Sequence, residues 1–220
     1  MCDNVAFYLA EAKMSIGLWL TFLMAAFLIS ISPGAGAIST MNSGIRHGVK
    51  ASLPTIMGLQ LGYAVQILVV AVGLGALLTS SALAFLTIKW VGIAYLLWLG
   101  VQKWRSTDAL HVTGSHSLTA RQQFCQSALV NLTNPKATVF LVALFPQFLS
   151  SYNASSYALQ LCVMGATLIL ADVVVMFCYA ALASQFKGWV NSPVRMQRMN
   201  RFFGSFFIVA ALMLALYKKS

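Results

Sequence analysis

The chain has 220 residues, of which 60% are hydrophobic and only 8% charged, with a mean hydropathy of +0.81. This lies far outside the range of soluble domains and marks an integral membrane protein, long enough for six spans of about 20 residues and without a stretch polar enough for a separate soluble domain. The formal net charge of +10 does not point to nucleic acid, because the basic residues fall in short segments between apolar runs, where membrane topology accounts for them.

Residues 1–13 hold Asp3, Glu11 and one basic residue, Lys13, so they lack the basic start of a secretory signal peptide. They read as a short tail, or as an upstream extension of a protein starting at Met14. A single transmembrane domain over 14–220 follows, with spans predicted near 15–36, 51–78, 82–102, 124–149, 156–184 and 202–217. The connections after the first, third and fifth runs carry nine Lys or Arg, among them Arg46, Lys50, Lys103, Arg121, Lys187 and Arg195. The other two, Thr79-Ser80-Ser81 and Ser150 to Ser156, carry no charge. Basic connections face the cytoplasm, which places both termini on the periplasmic side, with Lys218 and Lys219 voting weakly against.

The first run is interrupted by Ser32-Pro33-Gly34 and the fourth by Asn131-Leu132-Thr133-Asn134-Pro135-Lys136. Proline removes a backbone donor, and in a bilayer the freed polar groups are tolerated only where they meet protein or line a cavity. Three spans and three spans make two halves, about 14–102 and 124–217, with the second inverted and each opening on a broken helix. Paired interruptions of this kind point to the binding site of a secondary transporter. Pro33, Gly34, Asn42, Gln60, Asn131, Asn134, Pro135 and Lys136 are the candidate substrate-pathway residues.

Only Lys89, Lys136 and Asp172 are ionisable residues well inside apolar runs, and each is costly to place in a bilayer. Lys136 and Asp172 each lie about 18 Å of helix from the cytoplasmic end of their spans, so the two share a depth near the midplane and are expected to approach. A carboxylate poised between apolar surroundings, which favour its neutral form, and a cation, which favours its charged form, is suited to carrying protons. Asp172 is that candidate, with a static structural ion pair as the plainer reading. Lys89 is near its span's outer end, where a lysine snorkels to the headgroups.

Other chemistries find little support. His111 and His116 have only Asp108 near them, too few ligands for a metal site, and neither a hydrolase elbow nor a phosphate-loop lysine is present. No enzyme activity and no cofactor is expected. The four cysteines, Cys2, Cys125, Cys162 and Cys178, contain no C-x-x-C pair, which weighs against a membrane electron relay; a non-transporting membrane scaffold is the other alternative. Gly58 and Gly62 form a G-x-x-x-G, which permits close helix packing or a homodimer.

At these same residues the chain resembles the lysine-exporter superfamily, and within it the branch of resistance-to-homoserine-and-threonine exporters. The resemblance covers nearly all of 14–217. It rests on Ser32-Pro33-Gly34-Ala35-Gly36-Ala37, Gly58-Leu59-Gln60, Gly73-Leu74-Gly75, Lys89-Trp90, Ala94-Tyr95-Leu96, Trp98-Leu99-Gly100, Asn131 to Lys136 and Phe145-Pro146-Gln147-Phe148. It implies a bacterial inner-membrane exporter of homoserine and its lactone, with threonine a further candidate, driven by the proton gradient; export of another amino acid such as leucine or lysine is the alternative. Many members of the superfamily carry a second proline where this chain has Ala35, which leaves the first break less fixed. Residues 1–13 have no counterpart in the resemblance.

Overall fold

A computed structural model describes residues 14–78, 82–106, 118–149, 154–185 and 192–216, and among them every regular element is an α-helix. Ser15 caps the first by accepting from the Leu18 amide at 3.1 Å, and α1 (Ile16–Ile31) then runs to the approach of Pro33. The residue before a proline is pushed out of the helical region, and Ser32 is accordingly extended at φ −64°, ψ 119°. Gly34, also extended, opens α2 (Ala35–Ala51), which leaves α1 at 59°. A second kink falls at Gly48, whose φ of +82° is a conformation that glycine adopts without steric cost. α3 (Leu53–Leu78) and α4 (Ala82–Arg105) complete the first half.

The second half repeats the plan. Thr119 and Gln122 form a capping box for α5 (Ala120–Leu132). Asn134 then starts α6 (Pro135–Phe148) at 50° to α5, with Pro135 in the first helical position, where its missing N–H does no harm. α7 (Ala154–Gln185) and α8 (Pro193–Leu216) follow.

Both breaks stand where the sequence predicts them. Leu53–Gly73 and Tyr157–Gln185 are each long and apolar enough to cross a membrane, and each bent pair adds one more, giving up to four spans among the described residues where the sequence predicts six. α4 and α8, each 24 residues long, occupy the places of the predicted third and sixth spans. Several helices overrun their predicted spans. Arg46, His47 and Lys50 lie on α2, and Arg195, Arg198 and Arg201 on α8, where the sequence predicts connections. Hydropathy locates the apolar part of a helix, whereas the helix continues as long as its backbone stays bonded. Residues 1–13, His111 and His116 lie outside the described residues, as does the side chain of Lys89 on α4.

The halves interlock. α3 packs chiefly on α5, α7 on α2 and α1, and α4 on α8, so that the bent helix of each half lies against the long second helix of the other. A Cβ on Gly58 would fall 2.2 Å from the Phe124 carbonyl oxygen, and one on Gly62 would fall 2.7 Å from the Asn131 Cβ. The G-x-x-x-G therefore serves the crossing of α3 and α5 within the chain and is not an open face. Phe22 of α1 packs on Phe140, Phe145 and Phe148 of α6 with ring centroids 5.2 to 6.4 Å apart. A second apolar cluster joins Met41, Ile56, Leu59 and Met176. Ile29 belongs to the first cluster and Ala37 to the second, which makes the first break the seam between them.

Candidate functional site

Pro33 has no N–H, so the carbonyl of Ile29, four residues earlier, lacks the donor that a continuous helix would give it. Lys136 supplies one. Its Nζ donates to Ile29 O at 2.7 Å and to Ser32 O at 2.6 Å, and the Tyr179 hydroxyl donates to Ile31 O. The C-terminal end of a helix carries partial negative charge, which suits a lysine there.

The second break is repaired by neutral groups. Pro135 likewise cannot donate to Asn131 O, which accepts instead from the Asn134 amide at 3.0 Å and from Gln66 Nε2 of α3 at 3.0 Å, and Gln66 Nε2 also donates to Leu132 O at 3.1 Å. Each break is thus closed by a side chain from the opposite half. Asn131 Nδ2 in turn donates to Leu59 O at 2.7 Å, and Asn134 Oδ1 accepts from the Lys136 amide at 3.1 Å, which caps α6.

Asp172 on α7 is 1% exposed, and its Oδ2 accepts from Gln60 Nε2 at 2.8 Å. Asp172 and Lys136 line one cavity together with Ser32, Gly34, Tyr63 and Asn134. The two charges do share a site, but the hydrogen bonds of Lys136 go to the carbonyls of the first break rather than to the carboxylate. Depth along a span is readable from sequence, whereas the direction of a long side chain is decided by which acceptor is left unsatisfied. The cavity holds about 20 Å³, space for about one water. An amino acid enters it only if the helices part.

Of the remaining predicted residues, Pro33 is buried at the break and Pro135 is exposed on the outer surface. Asn42 lies elsewhere, in a separate cavity of about 160 Å³ with Ser39, Ser43, Arg46, Thr55 and Gln123. There the hydroxyls of Ser43 and Thr55 each donate to Gln123 Oε1 at 3.0 Å. Gly36, Ser39, Ser43 and Arg46 follow one another at helical spacing, so one face of α2 leads from the central cavity to this polar mouth. Ser32 stands in the interruption of the first run but is not singled out among the candidate residues, and Tyr63 and Tyr179 are not marked by their sequence context. The signal for Tyr179 is the set of carbonyls orphaned at the end of α1, one of which, Ile31 O, accepts from its hydroxyl; nothing local in the sequence marks Tyr63.

Broken helices that meet around buried ionisable groups are the architecture of a membrane transporter. Residues 27–218 match the model of the LysE type translocators, and the chain belongs to that family. It is 42% identical to a homoserine/homoserine lactone efflux protein of Salmonella typhimurium over 206 residues, 92% of this chain and 98% of the relative. It is 45% identical to an uncharacterized membrane protein of Vibrio cholerae over 93% of this chain and all of the relative. A leucine efflux protein of Klebsiella pneumoniae is 30% identical over 76% of this chain and 78% of its own length. No solved structure matches the chain.

Proposed function

We propose that this protein is a proton-driven exporter of small neutral amino acids, homoserine and its lactone foremost, in the bacterial inner membrane. Six spans in two inverted halves, with both termini periplasmic, are its proposed topology. The observation that carries the reading is the buried Asp172, held by Gln60 in a small cavity between two broken helices. The efflux relative covering nearly the whole chain supports the choice of substrate.

In this reading Asp172 takes a proton from the periplasmic side and releases it toward the cytoplasm, and the free carboxylate then accepts the substrate's ammonium. On the outward-open side a new proton replaces the ammonium. Lys136 serves as counter-ion to the substrate carboxylate, while Pro33-Gly34 and Asn134-Pro135 shape the cavity. Asn42 lies on the path of entry.

The test is uptake of labelled homoserine into inside-out vesicles with an acid interior, comparing the parent with Asp172→Asn. Those side chains are nearly isosteric and differ in the titratable proton. The parent is expected to accumulate homoserine, and the variant to lose accumulation while retaining downhill exchange. A variant that still accumulates against the gradient removes Asp172 from coupling. A parent that moves leucine and not homoserine overturns the substrate and leaves the transporter.

A further inference from the structure

The start of α2 is open where the start of α6 is closed. Asn134 caps α6, but no side chain among the described residues caps α2, whose first amides at Ala35, Gly36 and Ala37 have no acceptor within the helix. The first turn of a helix combines free N–H donors with partial positive charge. Gly34, Gly36 and Ala37 line the central cavity.

Two further groups stand at the same place. The Ser32 hydroxyl is 0% exposed, lines the cavity and has no hydrogen-bond partner among the described residues. A buried hydroxyl without a partner is costly, and a ligand that bonds it removes the cost. Lys136 Nζ lies beside Gly34, 3.4 Å from the position of a Cβ on that residue. Free amides, a hydroxyl donor and an ammonium together select an anion.

We infer that the first turn of α2 and the Ser32 hydroxyl bind the α-carboxylate of the transported amino acid, an assignment that rests on the transport reading above. The Ser32 Oγ–H donates to one carboxylate oxygen, and the open amides hold the other beside Lys136. The ammonium then points toward Asp172. Closing homoserine into its lactone, or esterifying an amino acid, removes this anion and keeps the ammonium. The subsite therefore acts on free acids and is idle for their esters.

The experiment measures apparent KM in inside-out vesicles for two pairs, homoserine with its lactone and leucine with its methyl ester. The parent is compared with Ser32→Ala and with Gly34→Ser. The latter places a capping hydroxyl over the open amides, and its Cβ makes only ordinary contact with Lys136. Both variants are expected to raise KM for the free acids about tenfold, the loss of one hydrogen bond to a charged group, and to leave KM for lactone and ester within about twofold. Equal changes for acid and ester, or no change in either variant, overturn the carboxylate assignment and leave the transporter standing. A parent that moves no member of either pair overturns both.

Discussion

The break after α1 and the break after α5 begin from the same defect, a proline that strips the donor from the carbonyl four residues before it, and they are mended differently. The second is mended by neutral groups, the side chain of Gln66 and the Asn134 amide, and is capped by the Asn134 side chain, so Asn131 O, Leu132 O and the Lys136 amide all have protein partners. The first is mended by the ammonium of Lys136, and the start of α2 is left without a cap. A neutral hydrogen bond responds little to charge arriving nearby, whereas an ammonium in low dielectric responds strongly. The second break is therefore a fixed joint. In the proposed mechanism the first is the joint at which a proton on Asp172 or an anion in the cavity would alter the balance of forces.

Removing the repair from each break tests this contrast, and the largest effect is expected at Lys136. Lys136→Met leaves Ile29 O and Ser32 O without their donor, and an unsatisfied group in hydrocarbon costs several kcal/mol. The expected outcome is severe loss of folded protein, read as yield and as thermal unfolding in detergent. A stable Lys136→Met protein would show that the first break does not depend on the ammonium. Gln66→Leu is expected to cost about 1–2 kcal/mol, the scale of an interhelical hydrogen bond in a membrane. It should lower the unfolding temperature while holding the KM for homoserine within about twofold. The opposite result, unchanged stability with lost substrate affinity, would exchange the roles of the two breaks.

Both breaks were legible in the sequence because proline acts locally and an apolar run makes its effect conspicuous. Lys136 and Asp172 were legible for a related reason, since a charge in a membrane span needs an explanation. Their partners were not. Helical rise gives a residue's depth, but the bond from Lys136 to the end of α1 depends on the rotation of α6 about its axis and on the fit of α7 beside α1, which are set by packing across the chain. Gln60 could be named as a polar group in the second span, yet its contact with Asp172 joins residues 112 positions apart. The roles of Ser32 and Tyr179 stayed hidden because a hydroxyl is inexpensive in a membrane span, where a serine or threonine bonds nearby backbone and a tyrosine reaches a neighbouring helix, as Tyr179 reaches Ile31 O. Only the structure distinguishes the Ser32 hydroxyl, which has no partner among the described residues, from that of Thr167, which donates to Val163 O at 2.7 Å.

The smallest expected effect is also the finest test of the contrast, because Asn134→Gly gives the second break the same open helix start as the first. Asparagine and glycine differ at a cap by a few tenths of a kcal/mol, so the unfolding temperature should fall only slightly. The freed amide would be that of Lys136. The second break would then have an open start and an ammonium nearby, but the hydroxyl corresponding to Ser32 would be Thr133, which already donates to Leu129 O at 2.9 Å. If an unpaired donor beside an open helix start is what makes a carboxylate subsite, opening the second break creates none, and KM for homoserine stays within about twofold of the parent. A tenfold change in that KM at unchanged stability would mean that the substrate touches both breaks, and the division between a fixed joint and a responsive one would fall.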